Sequence, residues 1–227
     1  DTRILFLIHI LANEYLNYLF VLFCLMILIN GSNFIDGLNT LLIGYYIIVS
    51  FFLLKLDLIE SIGIGKETFY SWFYILTFIF FFNFFKKIFM GDSGAYLMGL
   101  IYGFFVIEIH QNNPTLSPFF IVLLVWYPCF EILFSILRKF KIKRSPVQPD
   151  TKHFHQLLYF YNSKKFKINQ KYLNTFTASL INLFNFLIIF LGSLDVYNTQ
   201  LQIILIIIST SFYCYFYLRL FLFRYKR

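Results

Sequence analysis

Six apolar runs, at positions 42–56, 69–85, 95–109, 118–137, 173–193 and 200–218, are parted by short polar stretches. Most come near the roughly 20 residues that an α-helix needs to cross a bilayer core. Inside a bilayer the backbone must pair its own polar groups, and runs of this length do so as helices. With 59% hydrophobic, 23% aromatic and only 13% charged residues, and a mean hydropathy of +0.72, the chain is no ordinary water-soluble domain. The expected fold class is all-α, a polytopic transmembrane helix bundle.

Charge orients the bundle. The formal charge of +8 does not point to nucleic acid, because the basic residues sit in short segments between the apolar runs. Between Arg138 and Lys171 there are ten Lys or Arg residues and one acid, Asp150, and the chain ends in the basic RLFLFRYKR. The stretch 57–68 carries three acids and one Lys, and HQNNPTLS, 110–117, has no basic residue. By the positive-inside rule the basic loops are cytoplasmic, and some contact anionic lipid. Counting hairpins back from the tail puts three polar islands, NFIDGLN, GDSG and the basic loop 138–172, on that face. The expectation is one transmembrane domain over 1–227 with its active-site loops facing the cytoplasm. Residues 4–29 are apolar except for His9 and the group Asn13, Glu14 and Asn17, and form either one interrupted span or two half-spans. Cys24, Cys129 and Cys214 lie in apolar runs without CxxC spacing and read as small core residues. The start at Asp1, with no signal-peptide pattern, reads as the inside of a longer protein.

Each island has a chemical and a plain reading. In FMGDSGAYLMG, 89–99, Gly91 and Gly94 free the backbone beside Asp92, so that phosphate or metal can approach main-chain groups. The same four residues also serve as an ordinary turn with Asp92 or Ser93 capping a helix. In the first island Asn30, Asn33, Asp36 and Asn39 recur every three residues. If the island opens a helix they share a face suited to a hard cation or a polar head group, and the plain alternative is a capped helix entry. In the third, His153 and His155 flank Phe154, with Lys152 adjacent. An extended segment points both imidazoles one way, toward phosphate or metal; otherwise they are loop histidines solvated beside lipid head groups. No HExxH or Cys/His spacing argues for zinc.

Taken together, Asn30, Asn33, Asp36 and Gly37 in NxxNxxDG, then KIFMGDSGAYLMG, then Pro149, Asp150, His153 and His155 in PDxxHxH, resemble the ordered motifs of one family. It is the polyprenyl-phosphate N-acetylhexosamine-1-phosphate transferases, bacterial glycosyltransferase family 4, whose members include undecaprenyl-phosphate N-acetylglucosaminyl 1-phosphate transferase. The stretch YPCFEILFSILRK, 127–139, is similar to one branch of it. The resemblance implies a multi-pass enzyme of the bacterial inner membrane, working in cell-envelope polysaccharide synthesis. In it the phosphate of a polyprenyl carrier attacks the β-phosphorus of a UDP-sugar and releases UMP, with Mg2+ or Mn2+ as cofactor. Phosphoryl transfer of this kind needs positioning and charge neutralisation more than covalent help. Carried over by motif, Asn33 and Asp92 hold the metal. Gly37 and Asn39 hydrogen-bond the uracil and Phe89 stacks on it. Asp36 belongs to the acidic lining, His153 and His155 contact the diphosphate or sugar, and Asn30, Gly91, Ser93 and Lys152 complete the substrate contacts.

Three features depart from the family pattern. Its paired-aspartate motif is absent, and Asp1-Thr2-Arg3 looks like the stretch just after it. About 26 residues separate Arg3 from the asparagine motif, enough for one span where relatives have two. Gln156 ends the histidine motif where HxHH is common. Residues 1–227 alone are therefore expected to be inactive. A degenerate relative that binds UDP-sugar or Mg2+ without turnover, and an unrelated transporter, are the alternatives. A transporter would place its charges near the bilayer midplane, within broken helices. The sugar and the oligomeric state are not legible.

Overall fold

The computed structural model describes residues 13–141 and 151–225, and all regular structure among them is helical. Helix α1 is Glu14–Ile35, α2 Leu41–Lys55, α3 Lys66–Phe84, α4 Gly91–Asn112 and α5 Pro118–Lys141. After them come α6, Phe154–Lys165, α7, Gln170–Gly192, and α8, Thr199–Tyr225. Helices α1, α4, α5, α7 and α8 are long and apolar enough to cross a membrane. The protein is a multi-pass, all-α membrane protein, as the apolar runs predict.

Helix α2 has only 15 residues, about 22 Å at the helical rise, and is shorter than a bilayer core of about 30 Å. It is also the most enclosed helix: Leu41 to Tyr46 on its first turns, then Val49, Phe52 and Leu53, are all buried. Helices α3 and α7 pack along it. Several polar groups inside this core pair with one another. Ser32 Oγ and Tyr46 Oη are 2.5 Å apart, and the Tyr46 and Tyr102 rings stack at 4.2 Å. The Tyr102 hydroxyl, bonded to Ser50, donates to the Tyr46 carbonyl at 3.1 Å.

Close approach fixes how α1 sits. A Cβ on Gly31 would lie 2.3 Å from the Pro128 carbonyl oxygen, and one on Gly99 would lie 2.7 Å from Ile29 Cα. Only glycine allows α1 to lie so near both α5 and α4. Pro128 sits inside α5 and lacks the N–H that would pair with the Leu124 carbonyl. The Tyr45 hydroxyl donates to that carbonyl instead, at 2.9 Å.

The loops sort to two ends. At one, Asn112 Nδ2 donates to the Ser61 carbonyl at 2.7 Å and the Ser117 N–H to the Val196 carbonyl at 3.1 Å. Lys66 pairs there with Asp57 at 2.8 Å and with Glu60 at 3.1 Å. The other end gathers the three polar islands. The first island closes a helix where the sequence suggested an opening one: α1 runs through Asn30 and Asn33 to Ile35, and Asp36 is its C-cap. Burial of Gly31, Ser32 and Ile35 against neighbouring helices keeps those residues helical. Residues 4–12 lie outside the described residues, and from Asn13, which caps α1 through its side chain, the segment is a single helix. Within the basic stretch 138–172 the chain forms α6, and residues 142–150, with Pro149 and Asp150, lie outside the described residues.

Candidate active site

The turn between α1 and α2 is built on polar contacts to distant helices. Thr40, in a left-handed conformation at φ 67°, gives its N–H to Asn83 Oδ1 at 2.5 Å. Asn83 Nδ2 donates to the Ile88 carbonyl at 2.8 Å, and Asn39 Nδ2 donates to the Asn83 carbonyl at 3.0 Å. The Asn39 N–H goes to Asn174 Oδ1 at 2.9 Å, and Asn182 Nδ2 donates to the Thr40 carbonyl at 3.0 Å. Asn83 thereby ties the first island to the loop before GDSG. One buried amide joins two of the three motifs.

Between those two motifs lies a cavity of about 310 Å³ lined by Asp36 to Asn39, Asn83 and Phe89 to Asp92. Asp36 and Asp92 both line it. Burial first, then the charge of Asp92, push the Asp36 carboxyl up to about 7, although the Gly91 N–H bonds it and favours its charged form. Gly91, at φ 65°, takes a conformation that a side chain would strain and turns the chain into α4, with Asp92 in the first helical turn. The Phe89 ring is 68% exposed at the cavity edge, free to receive a planar group on its face.

The histidines approach from the other side of the first island. His153 is extended and caps α6, while His155 lies in the first helical turn, so the segment is only partly the strand-like one that the spacing suggested. Their rings are nevertheless parallel, 5.8 Å apart. A Cβ on Gly37 would lie 2.2 Å from His155 Nε2, so the imidazole packs on the bare backbone of the cavity floor. Burial pushes the His155 imidazole down to about 4, the nearby Glu131 charge working against it and that of His153 with it. The His153 ring meets Phe34 edge-on at 4.9 Å. Gly37 is thus where the three islands meet.

The remaining expected residues are distributed as follows. Asn33 lies one turn before Asp36 on α1 and is not among the residues lining the cavity. Asn30 Nδ2 donates to the Met26 carbonyl at 2.7 Å. Ser93 is exposed in the first turn of α4. The Lys152 ammonium lies over the rings of Phe221 and Tyr225, at 5.7 and 5.4 Å. Sequence reasoning missed Asn83 and Glu131. Glu131, 1% exposed on α5, holds His153 Nδ1 at 3.0 Å. An acid inside an apolar run was a visible signal, since such a charge is costly in lipid and needs a named partner.

The donor set can be tested against a metal. Among the described residues no three acidic, histidine or cysteine side chains cluster, which is not the pattern of a closed protein cage. Two carboxylates on one polar cavity, one of them pushed up in part by the other's charge, fit a cation such as Mg2+. That ion keeps several waters and takes one or two carboxylates together with substrate phosphates.

Residues 2–110 match glycosyl transferase family 4. Over 130 residues the chain is 28% identical to undecaprenyl-phosphate alpha-N-acetylglucosaminyl 1-phosphate transferase of Thermotoga maritima, covering 57% of this chain and 39% of that protein. It is 34% identical over 154 residues to decaprenyl-phosphate N-acetylglucosaminephosphotransferase of Mycolicibacterium smegmatis, covering 58% and 37%. With undecaprenyl-phosphate alpha-N-acetylglucosaminyl 1-phosphate transferase of Yersinia pestis the identity is 27% over 151 residues, covering 62% and 40%. The matches span about two fifths of the length of these relatives. No solved structure matches the chain.

Proposed function

We propose that the chain is a member of glycosyl transferase family 4, which its residues 2–110 match, and that it transfers an N-acetylhexosamine 1-phosphate from a UDP-sugar to a polyprenyl phosphate, releasing UMP. N-acetylglucosamine is the sugar in the names of the relatives. The observation that carries this reading is the cavity shared by Asp36 and Asp92, with an exposed aromatic face at its edge and a histidine packed behind its glycine floor. An acidic cavity repels a diphosphate unless a cation intervenes, so the arrangement suits a nucleotide that arrives with one.

In the proposed reaction Phe89 stacks on the uracil, and Gly37 and Asn39 present hydrogen-bonding groups to its edge. Asp92 would hold Mg2+ or Mn2+, with Asp36 lining the same cavity, while Asn33, a turn before Asp36, does not line it. The ion supplies charge neutralisation at the diphosphate. His153 lies toward the diphosphate or the sugar, and His155 supports the floor from behind Gly37. The acceptor phosphate attacks the β-phosphorus, the bond from that phosphorus to the UMP oxygen breaks, and the pyrophosphate link to the carrier forms.

The face is proposed to be cytoplasmic. Lys86, Lys87, Arg138, Lys139 and Lys152 lie at the site end of the bundle, whereas the opposite end carries Asp57, Glu60, Glu67 and Asp195 against Lys55 and Lys66. That asymmetry follows the positive-inside rule and supports a site on the cytoplasmic face of a bacterial inner membrane, where nucleotide sugars are available. The test is UMP release by the full-length protein in membranes. Release that requires UDP-N-acetylhexosamine, polyprenyl phosphate and Mg2+ together supports the reading. Release of UMP without the lipid, or none under any combination, rejects it.

A further inference from the structure

Glu131 lies ten residues from the C-terminal end of α5, inside a membrane-spanning helix, and is 1% exposed. A carboxylate there is expensive unless every lone pair it presents is used. Here both oxygens are. Oε1 accepts from His153 Nδ1 at 3.0 Å and from the Phe154 N–H at 3.2 Å, and Oε2 accepts from the Tyr213 hydroxyl at 2.7 Å. A backbone N–H only donates and an ionised carboxylate only accepts, so the carboxylate is the common acceptor of Phe154 N–H and the Tyr213 hydroxyl, and Nδ1 of His153 is a ring nitrogen that carries a proton.

The backbone leading to His153 is held by the same helix that supplies Tyr213. Arg224 donates to the Thr151 carbonyl at 3.0 Å and the Tyr217 hydroxyl to the Lys152 carbonyl at 3.0 Å. Two consecutive residues are therefore fastened to α8, and the next, His153, is fastened to α5 through Glu131. We propose that Glu131, braced by Tyr213, is a positioning residue for catalysis: it fixes the ring plane and the Nδ1-protonated form of His153, and so presents Nε2 in a set direction toward the substrate phosphates. Neither Glu131 nor His153 lines the cavity between the first two islands, but Glu131 is 1% exposed and bonds the His153 ring, so in the proposed reaction it acts through His153 and not on substrate. The assignment rests on the proposed reaction for its kinetic consequence and on the hydrogen bonds alone for its structural one.

The experiment pairs kinetics with spectroscopy on the full-length protein. Glu131→Gln keeps the shape and an acceptor oxygen but removes the charge. It is expected to lower kcat by about tenfold to a hundredfold, the range for removing the outer partner of an oriented imidazole, with KM for the UDP-sugar nearly unchanged. In a His153→Ala background the same substitution should have no further effect, because the residue it orients is gone. Equal losses in both backgrounds, or wild-type kcat in Glu131→Gln, would overturn the proposal. Tyr213→Phe should give a smaller loss of the same kind.

The second readout needs no turnover. With 15N-labelled histidine, His153 should show a protonated Nδ1 hydrogen-bonded to the Glu131 carboxylate, and Glu131→Gln should weaken or lose that Nδ1–H signature. A wild-type His153 without that signature rejects the assignment. If the wild type releases no UMP, the proposed reaction fails while these spectra still decide the role of Glu131.

Discussion

Nε2 of His155 lies 2.2 Å from where a Cβ on Gly37 would stand, so a histidine from the third island occupies the space that any other residue in the first would need. The ring is buried and cannot swing aside freely. Gly37→Ala must push α6 away from the α1–α2 turn, an overpacking that costs about 1–3 kcal/mol. The protein should still fold. UMP release should fall on the order of a hundredfold, because a displacement of about 1 Å is enough to spoil a near-attack arrangement. A wild-type rate in Gly37→Ala would separate His155 from the site.

Opposite pH slopes are expected from Asp36 and His155. Asp36 has a folded pKa of about 7, raised from 3.8, so the folded protein binds more protons than the unfolded chain between those values. Its contribution is full at low pH and is lost as pH rises through about 7. His155 is lowered from 6.5 to about 4, so its contribution is full above 6.5 and is lost as pH falls toward 4. Between about 4 and 6.5 the two oppose each other. Thermal unfolding of the metal-free protein should therefore depend weakly on pH in that window. In Asp36→Asn only the histidine slope should remain, with stability falling on acidification. An unchanged profile in that variant would show that Asp36 is not desolvated as described.

Four of the six apolar runs fall on helices long and apolar enough to span, because such helices must be both, whereas α2 is short and α3 is not among them; the common end of the islands followed from counting hairpins. What was hidden depends on partners far away in sequence. NGSNF looks like loop, yet Ser32 reaches Tyr46 and Gly31 reaches Pro128, and these contacts carry α1 on to Ile35. Asn83 reads as one polar residue closing an aromatic run, and its role depends on Thr40. His155 looked like a solvent-facing partner of His153. Helix α6 instead turns it inward against a glycine, which no local pattern reports.

Tyr45 and Pro128 form a pair whose coupling has a definite sign. With Pro128 present, Tyr45→Phe leaves the buried Leu124 carbonyl without its donor, at a cost of about 1–3 kcal/mol. In Pro128→Ala the new N–H can close the helical bond to that carbonyl. The tyrosine substitution should then cost much less. Chemical unfolding of the four proteins in detergent gives the coupling energy directly, and strict additivity would mean that the proline does not leave the carbonyl dependent on Tyr45.

Topology can be read by labelling. With Cys24, Cys129 and Cys214 replaced, single cysteines at positions 36, 92 and 153 should resist an impermeant reagent added outside intact cells. Cysteines at positions 61 and 113, at the opposite end of the bundle, should react. Reaction at position 92 but not at 61 would invert the membrane orientation while leaving the shared cavity intact. Reaction at both ends of one span would count against the hairpin arrangement itself.

Asp92 and Phe89 sit three residues apart on one cavity wall, yet substitutions there should fail in different ways. Asp92→Asn keeps the shape and removes the charge that holds the cation in the proposed reaction. It should cost several kcal/mol of transition-state stabilisation, on the order of a thousandfold in kcat, and should raise the Mg2+ needed for half-maximal rate. Phe89→Ala removes a stacking face worth about 1–3 kcal/mol to a bound base. Its loss should appear in KM for the UDP-sugar, with little change in kcat or in the Mg2+ requirement. Asp36→Asn should fall between the two, because it removes a second acidic group and also relieves the repulsion between the carboxylates. A kcat defect in Phe89→Ala as large as that of Asp92→Asn would mean that the ring holds reacting groups, and the division of this cavity into a base end and a phosphate end would be wrong.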